Sequence, residues 1–156
     1  MKIRTVSLCL IRKNDLILVE ETYDSAVNKT FYRPIGGTVE YGESSKLAVI
    51  REVKEEINAE ITEPRLLFVI ENLFTYLNQL GHEVDFIYEA ELLDRTFYDK
   101  NEIEGKEGTE RYKAIWKPVE DFIGNEEIKL VPDGLLQLLL QLDSSSVSNV
   151  KHISTR

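Results

Sequence analysis

Cysteine is nearly absent from this chain of 156 residues: Cys9 stands alone, so no intrachain disulfide can staple the fold and a reducing cytoplasm suits it. Histidine is almost as scarce. His82 and His152 lie far apart, and with a single thiol they assemble no zinc set. Positive charge is also short, since 19 Lys and Arg face 28 Asp and Glu for a formal net charge of −9. Such a surface repels a phosphate backbone, which excludes a sequence-independent grip on a nucleic-acid polymer. By the same argument, a polyanionic small substrate needs a metal or a local basic group to hold it. No apolar run reaches the ~18 residues of a membrane span. The opening Met1-Lys2-Ile3-Arg4 runs into mixed residues rather than a signal-peptide core.

Hydrophobic residues are not lacking, at 42%. That is enough for a sizeable core, and the length suits one domain, for which ~100–200 residues is usual. Residues 3–11 and 16–22 read as antiparallel strands around an Asn14-Asp15 turn. Residues 23–30 read as a loop, and 31–39, with Pro34 and Gly36-Gly37, as a short, sharply turning segment. A helix is predicted over 44–57, capped by Ser44 and ended by Asn58, with Leu47, Ile50, Val53 and Ile57 on its inner face. Strands at 65–76 and 84–93 flank a hairpin loop over 78–82 turned by Gly81. The charged, glycine-bearing stretch 94–111 reads as mobile, 112–116 as a strand. A leucine-rich helix opens at Pro132-Asp133, its apolar face buried on the sheet or at a subunit contact, which leaves room for a homodimer. The whole reads as one α/β domain with a mixed sheet over 1–143, followed by a loose tail over 144–156.

The chemistry gathers around the first helix. At ~100° per residue, Glu52, Glu55 and Glu56 project from one narrow face, opposite much of the apolar stripe. Like charges at this spacing destabilise a helix by a few tenths of a kcal/mol per pair. Taken alone, a Glu-rich helical face is usually solvated surface. Set beside a glycine turn, it suits a hard cation such as Mg²⁺ or Mn²⁺, with a backbone carbonyl of the glycine pair as a further ligand. Glu43, just before the helix, is placed to reach Arg51.

Gly37, five residues, Glu43, seven residues, Arg51-Glu52, Val53, Lys54 and Glu55-Glu56 together resemble the signature of the Nudix hydrolases. Asn58 stands where that family has glycine. The resemblance implies an α/β/α sandwich with a mixed sheet and Mg²⁺- or Mn²⁺-dependent hydrolysis of a nucleoside diphosphate linked to another group. It implies metal binding by Glu52, Glu55, Glu56 and the Gly37 carbonyl, with Glu43 and Arg51 as a structural ion pair. Glu52 is the leading general base, ahead of Glu102, Glu104, Glu107 and Glu110 in the charged stretch. Arg33 is a candidate clamp for a terminal phosphate, and Tyr32, Tyr23, Phe74 and Phe86 are candidate base-stacking rings. Substrate choice is expected to lie in 23–30, 78–82 and 94–111. Two other readings stand beside this one: a non-catalytic nucleotide sensor on the same fold, and prenyl diphosphate isomerisation, which usually recruits a reactive cysteine.

Overall fold

The computed structural model describes residues 1–142 and 151–155. Aliphatic and β-branched residues build β1 (Arg4–Leu10), the two-residue β2 (Arg12–Lys13) and β3 (Leu16–Asp24), with Asn14 turning the chain at a φ of 55°. The loop expected over 23–30 shrinks to four residues, because Tyr23 and Asp24 pair with Thr30 and Lys29 of β4 (Lys29–Thr38). β4 is thus a full strand, not the short turning segment its proline and glycines suggested. It pairs with β3 up to Pro34 and with β1 from Ile35 to Thr38. Pro34 sits at this change of partner, where a missing amide proton disturbs the ladder least.

α1 (Ser45–Ile57) is capped as predicted: Ser44 Oγ accepts from the Leu47 amide at 3.2 Å, and Asn58 ends the helix at a φ of 53°. Its inner face differs from the expected stripe. Ala48, Val49, Val53, Glu56 and Ile57 are buried, whereas Leu47 and Ile50 are 60% and 36% exposed. The helix is rotated so that one carboxylate, Glu56, points inward.

β5 (Arg65–Tyr76) and β6 (Gln79–Glu89) join through Leu77 and Asn78, both at positive φ. Gly81 lies within β6 rather than at the turn, and a Cβ there would come within 2.3 Å of the Phe74 ring. The stretch expected to be mobile forms a 3₁₀ turn over Arg95–Asp99 and a hairpin of β7 (Glu102–Glu107) with β8 (Glu110–Pro118). Ile103 and Gly105 alternate inward on β7 while the charges between them face water.

β9 (Ile128–Leu130) pairs with β4, and α2 (Leu135–Leu142) follows. β10 (Lys151–Ser154) pairs in parallel with β5, where a loose tail was expected; residues 144–150 and 156 of that expected tail lie outside the described residues. The strand order is β10-β5-β6-β1-β4-β3-β8-β7. One core cluster joins Val6, Leu8, Leu10 and Phe68 to Leu135, Leu138 and Leu139 of α2. The other joins Cys9, Ile11 and Ile35 to Val49, Val53 and Ile57 of α1. The result is the expected α/β/α sandwich around a mixed sheet. Cys9 is fully buried, its thiol pushed up to about 12 by that burial with Glu89 adding, so it is no nucleophile. Among the described residues no helix is long and apolar enough to cross a membrane.

The caps make a direct test of this local logic. Ser44→Ala should lower stability by about 1 kcal/mol. Asn58→Gly should leave it nearly unchanged, and Asn58→Val should cost at least as much as the Ser44 change. Urea-unfolding midpoints at constant m would check all three.

Candidate active site

α1 crosses β4 at the glycine pair, and the crossing builds the site. A Cβ on Gly37 would lie 2.5 Å from Glu52 Cδ and 2.6 Å from its Oε2. Only glycine admits the carboxylate at that distance. Arg51 then ties the surroundings together. Its Nε and Nη2 fork onto both oxygens of Glu43 at 2.8 and 2.9 Å, and Nη2 also donates to the Thr38 carbonyl at 3.1 Å. Its Nη1 reaches Glu52 at 2.9 Å and Glu55 at 3.2 Å. Hydrogen bonding from Arg51 holds Glu43 below the usual carboxylate range. Glu52 moves the other way, raised by burial against the pull of Arg51.

Glu56 has different company. It is 4% exposed, Tyr112 donates to its Oε1 at 3.2 Å, and its Oε2 has no partner. Gly105 makes room for Tyr112, whose Cζ would be 2.4 Å from a Cβ there. Glu20 of β3 and Glu107 at the end of β7 complete a group of three whose oxygens lie within 4.8 Å of one another. Burial, with Glu20 adding, pushes Glu56 up to about 9, and Glu20 is itself raised by burial. Burial and mutual repulsion thus disfavour the charged forms of Glu56 and Glu20. A buried oxygen without a donor, in an all-oxygen set, fits a divalent, oxygen-preferring cation.

Gly37, Glu52, Glu55, Glu56 and Glu107 line one cleft of about 490 Å³. The structure therefore gathers the four predicted metal-binding residues, but not as three equivalent acids on one face. Glu52 and Glu55 lie on Arg51, with Glu55 59% exposed, and Glu56 turns inward to Glu20 and Glu107. Of the four acids in the charged stretch, Glu107 alone lines this cleft. Glu20 was not anticipated. The signal was alternation: Leu18 packs in the α1-side core, and Glu20 is the next residue of β3 on that face.

Arg33 is committed to Glu20, with Nη2 at 2.8 Å and Nε at 3.0 Å from Oε1, so it is not a free phosphate clamp. Tyr32 is corrected outright. It is 5% exposed, packs edge-on against Phe122 at 5.6 Å and donates its hydroxyl to Glu21 at 2.6 Å. Its neighbours Phe31 and Arg33 instead line a second cavity of about 570 Å³, which shares Glu107 with the first and also reaches Glu20.

Two outcomes follow from this geometry. Gly37→Ala should displace the Glu52 carboxylate, lowering Mn²⁺ affinity and cutting turnover by about 10²-fold, while circular dichroism keeps the helix signal. For Glu56, the raised value means that its stabilising contribution is complete below the ordinary value of 4.5 and is lost as pH climbs through about 9. Metal-free wild type should therefore lose stability between those limits, and Glu56→Gln should flatten the slope. Urea titrations in EDTA from pH 5 to 9 compare the two; parallel profiles would contradict it.

A family model for the NUDIX domain matches residues 1–141. Nudix hydrolase 5 of Arabidopsis thaliana is 30% identical over 132 residues, covering 78% of this chain and 40% of that protein, so the chain spans well under half the length of this curated relative. A NUDIX hydrolase from Nitrosomonas europaea superposes with a TM-score of 0.63 at 18% identity, over 92% of this chain and 90% of that one. An ADP-ribose pyrophosphatase from Streptococcus suis 89-1591 gives 0.60 at 16% identity, over 96% and 98%. At such identities the two structures speak for the fold. The family model reaches further, because it spans the acid-bearing helix and the glycine it rests on: the chain belongs to the Nudix hydrolase family.

Proposed function

We propose that the protein is a metal-dependent hydrolase that cleaves a phosphoanhydride bond in a nucleoside diphosphate linked to another moiety. The observation that carries this reading is Glu56, a buried carboxyl with an orphaned oxygen set among Glu20 and Glu107. The Gly37 carbonyl, Glu52, Glu55 and Glu56, joined by Glu20 and Glu107, would hold Mg²⁺ or Mn²⁺. Bound there, such an ion neutralises phosphate charge and lowers the pKa of water.

The remaining work falls to the chain itself. Glu52 is the proposed general base: Arg51 and the contact with Gly37 fix its carboxylate at the cleft, and proton transfer depends first on such positioning. Arg51 and Glu43 orient it. Tyr112 orients Glu56, and Arg33 orients Glu20. The partner is a small nucleotide derivative, not a nucleic-acid polymer or a membrane, and the activity belongs to a single domain over 1–143. A cytoplasmic location suits a protein whose one thiol is buried and unpaired. A homodimer through α2 would rest on Leu140, 47% exposed, since Leu135, Leu138 and Leu139 are already spent on the core.

The test is a phosphate-release screen of nucleotide derivatives with Mg²⁺ and Mn²⁺, followed by mass analysis of the broken bond. Glu55→Gln and Glu56→Gln should fold normally yet lose nearly all turnover. Wild-type rates in both variants, or no hydrolysis by the wild type, would reject the assignment.

A further inference from the structure

The tip between β3 and β4 and the tip between β5 and β6 are tied together by one buried carboxylate. Asp24 is 1% exposed; its Oδ1 accepts from the Ala26 amide at 2.8 Å and its Oδ2 from the Leu77 amide at 3.1 Å. One side chain thus caps its own turn and holds a second turn 53 residues further along the chain. The two tips it joins present large apolar side chains to solvent: Tyr23, Val27, Leu77 and Leu80 are each about half exposed.

Leu77 is set apart by its backbone. With Asn78 it forms a two-residue turn between Tyr76 and Gln79, at φ of 48° and 64°. Such a turn favours asparagine and glycine, and at positive φ a leucine Cβ crowds the backbone. The chain bears strain at this position and holds an apolar side chain out into water. Strain of that kind persists where the surroundings over-determine it, often at a contact with something else.

The tips also lack surface charge, in a chain with 30% charged residues and a net charge of −9. Residues 72–81 contain no Asp, Glu, Lys or Arg, and over 23–28 the only one is the buried Asp24. Leu47 and Ile50, the exposed apolar pair of α1, instead have Lys46, Arg51 and Glu52 as sequence neighbours. This neutrality identifies the occupant. In a two-fold contact each surface meets its own copy, so a face of one charge repels itself and a neutral apolar face does not. Two molecules that each carry −9 approach at least cost where neither presents charge. A partner of opposite charge would find nothing on these tips to pair with.

We propose that the two tips form the contact of a two-fold homodimer, in which Tyr23, Val27, Leu77 and Leu80 of each copy pack against those of the other. Asp24 is its positioning residue. Val27 also lines the second cavity, so the contact adjoins that space and leaves α2 free.

Sedimentation equilibrium of the full chain over a concentration series tests this. The wild type should show a monomer–dimer equilibrium that tightens as salt rises, because salt screens the repulsion between two acidic copies and spares apolar contact. Leu77→Gly should weaken association about tenfold or more, while its urea midpoint holds or rises, since glycine suits the positive φ. Leu80→Glu should abolish the dimer with circular dichroism unchanged. Leu140→Glu on α2 should dimerise like the wild type. A wild type still monomeric at about 1 mM, a larger assembly, dissociation by added salt, an undiminished dimer in Leu77→Gly or Leu80→Glu, or loss of the dimer in Leu140→Glu would each overturn the proposal. Should Leu80→Glu not fold, Leu77→Gly and the salt series decide.

Discussion

The close approach of α1 to β4 at Gly37 sets the position of the helical acids in the site. With no side chain on Gly37, the Glu52 carboxylate lies against the strand backbone, and the next helical turn delivers Glu56 to the space between β3 and β7. Three glutamates within five residues repel one another by a few tenths of a kcal/mol per pair. Arg51 offsets that with five hydrogen bonds, to Glu43, Glu52, Glu55 and the Thr38 carbonyl. Nothing comparable offsets the burial of Glu56, whose Oε2 stays without a donor. The fold tolerates a locally unfavourable arrangement, which is the signature of groups kept in position for a ligand.

Regular elements make that arrangement stiff. Glu20 sits mid-way along β3, Glu56 on α1 and Glu107 at the end of β7, each carried by backbone that is hydrogen-bonded on its own account. The division of the core serves the same end. One cluster clamps α1 through Val49, Val53 and Ile57, the other clamps α2 through its leucines, so the sheet between them has little freedom to let the acids drift apart. β4 belongs to both halves, pairing first with β3 and then with β1, and the gap this opens is the second cavity.

What could be read from the sequence was what is local. Ser44 and Asn58 mark the ends of α1 because a cap depends on a residue and its near neighbours. The Gly37-to-Glu56 spacing was legible because one strand–loop–helix unit carries it. Features set by distant partners were not. Leu47 and Ile50 have the right period for an inner face, but the helix turns Glu56 inward instead and leaves them exposed. Residues 102–107 look like solvated loop by charge, yet they pair with 110–115 and fold Glu107 over the site. Gly81 has the look of a turn, but its missing side chain makes room for Phe74 across the sheet. Tyr32 and Phe31 differ by one position in a strand, and period two sends them to opposite faces. Nothing in their residue types says which face the cavity is on.

The shortage of positive charge gains its meaning from where the arginines are. Arg51 is occupied by Glu43, Glu52 and Glu55, Arg33 by Glu20, and Arg4 by Glu83. To grip a phosphate, any of them would have to release an acid it now steadies, leaving that acid partly buried and unpaired, at a cost exceeding what one surface ion pair returns. Lys106 also lines the cleft, a single ammonium facing Glu40, Glu52, Glu55, Glu56 and Glu107. Neither the local charges nor the −9 overall can attract a polyanion. On the proposed reading, the positive charge that draws a substrate's phosphates in would arrive with a cation, and the acids that repel those phosphates are the groups that would recruit it.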